Sequence, residues 1–154
     1  MSFNSQNGWK ASKVKAEIGI ESFLIPGTNI KLACAKAVAP LLVGFAAEFH
    51  ELIEPIDEGG LDDWGYCYRE IRGSTTSLSN HSSGTAIDLN ATQHPLGKAG
   101  TFPAEKVPMI RALAKKYGLL WGGDYRNRKD EMHFEVTLTP AKAAALIKKL
   151  ENTK

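Results

Sequence analysis

The 154-residue sequence predicts an α+β fold: a small, mainly antiparallel sheet flanked by helices. Three observations point there. Three stretches repeat apolar residues at helical spacing, several short apolar or aromatic runs read as strands, and tight loops separate those runs.

Residues 1–31 are interrupted by Gly, Asn and Ser, with short apolar pieces at Ile18-Gly19-Ile20 and Phe23-Leu24-Ile25. They read as an arm with one or two short strands, ahead of a body spanning residues 32–154, the whole forming one globular unit. Pro40 suits the first turn of a helix, where its missing N–H leaves no bond unmade. Leu41, Leu42, Phe45, Phe49, Leu52 and Ile53 then follow at helical spacing, with Pro55 just past the end. Asp57-Glu58-Gly59-Gly60 reads as a loop. The aromatic run Trp64–Ile71 reads as a strand. So does Thr85–Leu89, which puts Thr85, Ile87 and Leu89 on one face and Ala86 and Asp88 on the other. Pro108 opens a second helix through Ile110, Leu113, Ala114 and Tyr117, stopped by Gly118. Leu119–Trp121 and His133–Val136 are short strands around a Gly122-Gly123 turn. Thr139 as N-cap and Pro140 as first helical residue start a last helix through Leu146, Ile147 and Leu150.

Composition narrows the function. Apolar content of 43% and charged content of 23% fit an ordinary folded domain, large enough to bury a core without disulfides. A net charge of +2 is too weak for a nucleic-acid-binding stripe. It favours approach to an anionic polymer such as a bacterial cell wall, and suits other partners equally. Cys34 and Cys67 could form a lone bridge, but the expectation is two unpaired, buried thiols, since Cys readily behaves as a small hydrophobe. The opening Met1-Ser2-Phe3-Asn4-Ser5-Gln6-Asn7-Gly8-Trp9 is polar and lacks the features of a signal peptide. No apolar stretch is long enough to span a bilayer. The expectation is a monomer, made in the cytoplasm, that binds no nucleic acid and inserts nothing into a membrane, with any export by another route.

Two stretches hold most of the chemistry: Ser79–Asp88 and Asp130–Glu135. Two His and one Asp form a three-ligand set for Zn²⁺ that leaves the fourth tetrahedral position open to water. A further carboxylate beside the last His can take that water's proton. Gly84 lets the chain turn sharply between His81 and the strand of Asp88. Small Ala86 leaves room on the face of Asp88, and a buried, unpaired carboxylate there calls for a cation. On a strand, His133 and Glu135 share one face, while Asp130 lies at the strand mouth. Glu131 adjoins Asp130, and spacing alone does not choose between them. Of the other histidines, His50 reads as a packed or surface helix residue and His94 as a solvated loop residue.

The pattern Ser79-x-His81-x-x-Gly84-x-Ala86-x-Asp88, followed by Asp130-x-x-His133, resembles the zinc peptidases that cut bacterial cell-wall peptides. These are the VanY-like D-alanyl-D-alanine carboxypeptidases and dipeptidases and the bacteriophage L-alanyl-D-glutamate endolysins, which share the hedgehog/DD-peptidase fold. The resemblance covers roughly residues 36–136, with Tyr68-Arg69-Glu70-Ile71 and Leu120-Trp121-Gly122-Gly123-Asp124 included. It implies His81, Asp88 and His133 as zinc ligands, Asp130 rather than Glu131 as catalytic base, and Arg69 as the substrate-side arginine, with Arg72 its competitor. Ser79, at the head of the motif, joins Arg69 in binding substrate. Cys67, two residues from Arg69, is expected to line the cleft without acting as a nucleophile. The resemblance implies zinc-dependent hydrolysis of peptidoglycan peptide stems, with an endolysin-type L-alanyl-D-glutamate endopeptidase ahead of a D-alanyl-D-alanine carboxypeptidase. Release in the manner of a phage lysis enzyme, or carriage on a virion, would bring such a chain to the wall. Two other classes stand beside it: a zinc-containing wall-binding domain without turnover, and a zinc-free globular domain.

Overall fold

Two short hairpins open the chain. In the computed structural model, which describes residues 3–58, 61–69 and 77–153, β1 (Phe3–Asn4) pairs antiparallel with β2 (Lys10–Ala11). β3 (Ile20–Leu24) then pairs with β4 (Lys31–Ala35), so this second hairpin runs across residue 31. Pro40 opens α1 (Ala39–Leu52), whose Leu41, Leu42, Phe45, Ala46 and Phe49 are all buried. Beyond the 3-10 turn Asn80–Ser83 come β5 (Ala86–Asp88), α2 (Val107–Lys116), β6 (Leu119–Trp121), β7 (His133–Val136) and α3 (Pro140–Asn152). Thr139 caps α3 by accepting the Lys142 N–H at 3.3 Å, as its place before Pro140 requires.

The central sheet has the order β5-β7-β6, antiparallel throughout. Its two faces do different work. Ile87, Phe134 and Val136 turn towards α1, where the Phe45 and Phe134 rings lie 4.4 Å apart and Phe49 packs on Phe134 at 5.8 Å. The opposite face carries Ala86, Asp88, His133 and Glu135, because side chains alternate along a strand. The register places Asp88 directly opposite His133 and Ala86 opposite Glu135.

The first residues bind behind this polar face. The Ser5 hydroxyl donates to Ser83 Oγ at 2.8 Å. The Asn7 N–H donates to Asn80 Oδ1 at 2.8 Å, and its side-chain amide to Thr85 Oγ1 at 2.7 Å and the Val136 carbonyl at 2.9 Å.

Three expectations change. Among the described residues Trp64–Arg69 makes one isolated bridge, Trp64 to Asp88, and joins no strand ladder; Glu70, Ile71 and Arg72 lie outside the described residues. β4 is a strand that its Leu-Ala-Cys-Ala composition, poor in β-branched residues, does not announce. Of the two free thiols, Cys34 is buried but Cys67 is exposed; burial pushes the Cys34 thiol up to about 12. Among the described residues no helix is long and apolar enough to cross a membrane.

Candidate metal centre

Strand register brings the first two donors together: His133 Nδ1 lies 3.1 Å from Asp88 Oδ1. The third comes from a 3-10 turn, Asn80–Ser83, capped by the Ser79 hydroxyl, which accepts the His81 N–H at 3.2 Å. Gly84 closes the turn at φ +71°, a conformation that favours glycine. A Cβ there would also sit 2.7 Å from the Ala35 nitrogen of β4. The turn is thereby docked against β4, the Ala35 N–H donating to the Gly84 carbonyl at 2.9 Å. His81 Nε2 ends 3.3 Å from Asp88 Oδ2. One ligand atom from each of His81, Asp88 and His133 lies within 4.8 Å of the others, and all three residues are buried.

Each imidazole is oriented from behind. His81 Nδ1 lies 2.8 Å from the Gly65 carbonyl, which can only accept, so Nδ1 donates there and Nε2 is the nitrogen turned towards Asp88. His133 Nε2 donates to Glu135 Oε1 at 2.9 Å. Glu135 is itself held by the Tyr125 hydroxyl and by the Asn80 amide, the latter at 2.8 Å. Carbonyl and carboxylate partners of this kind fix the tautomer of metal-bound histidines. Gly65 is the only residue type that fits its place, since a Cβ would lie 2.0 Å from the Ala33 carbonyl oxygen.

With no cation between them, the three groups balance one another's charge. Burial alone would raise the Asp88 pKa, but the His81 and His133 imidazoles override it and hold the carboxyl well below the usual carboxylate range. Burial would lower the His133 pKa, but Asp88 and Glu135 raise it to about 10. His81 Nε2 is buried with no hydrogen bond among the described residues. Two nitrogens and a carboxylate oxygen facing one point, one nitrogen without a hydrogen bond, make a donor set that fits a divalent cation such as zinc.

The neighbouring carboxylates divide cleanly. Asp130 lines the cleft, and its Oδ1 is buried without a hydrogen bond among the described residues. Burial raises its pKa, helped by Asp88 and opposed by His133, His81 and Arg69. Glu131 instead accepts the Thr101 N–H at 2.8 Å, the Gly100 N–H at 3.1 Å and the Thr101 hydroxyl. Its carboxylate is committed to the 100–101 loop.

The cleft over these groups has a volume of about 1140 Å³. Arg69, Ser79 and Cys67 all line it. Arg69 is anchored through its backbone: its N–H donates to Ser82 Oγ at 2.9 Å, and its carbonyl accepts the Ser79 N–H at 3.0 Å. Arg72 lies outside the described residues. His94 departs from its expected solvation. It is buried, with Nε2 at 2.7 Å from Glu54 Oε2, Nδ1 at 2.6 Å from Thr101 Oγ1, and its ring stacked on Phe102. His50 accepts the Ile56 N–H at 3.1 Å at the end of α1. Gly65, Asn80 and Tyr125 are the supporting residues that sequence reasoning did not single out; the Trp-Gly-Tyr run around Gly65 was the available signal of a close backbone approach.

Among known proteins, no curated protein and no solved structure matches the chain. Residues 72–136 match a protein family described as D-alanyl-D-alanine carboxypeptidase. That segment, less than half of the chain, contains His81, Asp88, Asp130 and His133 but not Arg69. In the part that carries His81, Asp88 and His133, the chain is similar to a family of D-alanyl-D-alanine carboxypeptidases.

Proposed function

We propose that this protein is a zinc-dependent peptidase that hydrolyses the peptide stems of bacterial peptidoglycan, acting as an L-alanyl-D-glutamate endopeptidase. One observation carries the reading: the buried donors of His81, Asp88 and His133 face one another beside a carboxylate, Asp130, that has an oxygen without a partner. The similarity over residues 72–136 supports the peptidase class.

His81 Nε2, Asp88 and His133 Nδ1 would hold the zinc. Bound zinc supplies a water of pKa near ~7 and a Lewis acid for the scissile carbonyl. Asp130 takes the proton of the attacking water on its free oxygen and returns it to the leaving amine. Its burial suits this, because a carboxylate raised towards the working pH is the stronger base. Arg69 offers a guanidinium to a substrate carboxylate or to the oxyanion of the tetrahedral intermediate. Glu135, Tyr125 and Gly65 keep the imidazoles in their working tautomers.

A cleft of about 1140 Å³ over the donors has room for a peptide stem. The description of the matched family favours the second reading, removal of a terminal D-alanine. Mass spectrometry of muropeptides after digestion separates them: new N-terminal D-glutamyl fragments support the endopeptidase, and loss of a single alanine supports the carboxypeptidase. No cleavage by zinc-loaded protein would leave a wall-binding domain.

A further inference from the structure

Between the Gly122 turn and Asp130 runs a loop that the reaction, as described, does not use. Its ends are fixed. The Gly122 carbonyl accepts the N–H of both Tyr125 and Asp130, at 3.2 and 3.0 Å. The Tyr125 hydroxyl binds Glu135, the Lys129 ammonium binds the Tyr125 carbonyl, and the Lys129 carbonyl accepts the Gly97 N–H at 2.8 Å. The tip of this braced loop is Arg126-Asn127-Arg128, exposed and lining the same cleft as His81, Asp88 and His133.

Neither guanidinium has a carboxylate partner among the described residues. Nearby Arg111, by contrast, is paired with Asp124 at 2.9 Å. The carboxylates lining the cleft are otherwise engaged: Asp88 and Glu135 with imidazoles, and Asp63 with the Asn90 N–H at 2.8 Å. Asp130 is half-buried at the floor. Arg69 and Lys31 add two more cations to the lining. A cleft with free guanidiniums on a braced rim is built to meet anions, and a guanidinium matches a carboxylate in bidentate geometry.

We propose that Arg126 and Arg128 read free carboxylates on the substrate, making the protein selective for acidic peptide stems over the same stems carrying carboxamides. This rests on the peptidase reading for the identity of the ligand, but binding can be measured without turnover. The probes are two fluorescent stem peptides of one sequence, one with free side and α-carboxylates and one with these amidated. Affinities are measured by anisotropy for the parent protein, Arg126→Gln/Arg128→Gln, and Lys148→Gln/Lys149→Gln. The last pair removes the same charge from exposed positions on α3, away from the cleft.

The parent should bind the free-acid peptide at least about tenfold more tightly, the effect of one charge-assisted pair. The arginine variant should lose most of that preference with an unchanged melting temperature, and the lysine variant should keep it. Equal affinity of the parent for both peptides overturns the proposal. So does a preference that survives in the arginine variant, or one that falls equally in the lysine variant. Selective binding without cleavage of either peptide supports the carboxylate reading and sinks the peptidase assignment instead.

Discussion

Asp130 and Glu131 are neighbours of the same chemical type, and only their surroundings separate them. Asp130→Asn removes the free carboxylate oxygen and should lower kcat by ~10²–10⁴-fold, with zinc content and melting temperature unchanged. Glu131→Ala removes the acceptor of three hydrogen bonds to Gly100 and Thr101. It should cost about 1–3 kcal/mol of stability while retaining turnover; stability curves and steady-state rates on the two variants check this. Asp63 gives a pH prediction. Burial, with the Asp62 and Asp57 carboxylates nearby, raises its pKa from 3.8 to about 6, against the pull of the Asn90 N–H. The folded state therefore holds this proton more tightly than the unfolded chain, so the group's stabilisation is full below pH 3.8 and falls as pH rises towards about 6. Asp63→Asn should be neutral near pH 3.5 and stabilising near pH 7, as denaturant melts at the two values would report. At this scale the donors were legible because scarce residue types stand at fixed spacing. The environment of His94 was not, since Glu54 and Thr101 reach it from distant segments.

At the level of elements, local signals and long-range pairings part company. α1 and α3 were legible in the sequence because a proline at the first turn and a 3.6-residue apolar repeat are written in consecutive residues. β4 and the true character of residues 64–69 were not, because a strand is defined by what lies beside it. The segment 64–69 has its own task, holding the Gly65 carbonyl against His81 while its backbone touches β4. Gly65→Ala should force that segment away from Ala33, lowering stability by about 1–3 kcal/mol. It should also loosen the metal, seen as faster zinc release to a chelator, whereas an alanine at Gly100, where a Cβ meets nothing within 4 Å, should leave zinc release unaltered. Equal release rates from parent and Gly65→Ala would remove the Gly65 carbonyl from the support of His81.

For the molecule as a whole, a cation held by His81, Asp88 and His133 would tie the 3-10 turn to the sheet. Stripping zinc with a chelator should lower the melting temperature by about 5–10 °C, the shift for a ligand held near 100 times its Kd on a domain of this size. Re-addition of zinc should restore it in the parent and not in His81→Ala. One feature of the sheet reaches further. β7 lies between β5 and β6 yet is the last of the three to be made. While the chain is still growing on the ribosome, β5 and β6 have no edge to share, and His81 and Asp88 wait without their third companion. Until β7 has been made, His81, Asp88 and His133 cannot meet: the order of synthesis itself delays the moment at which the three donors come together.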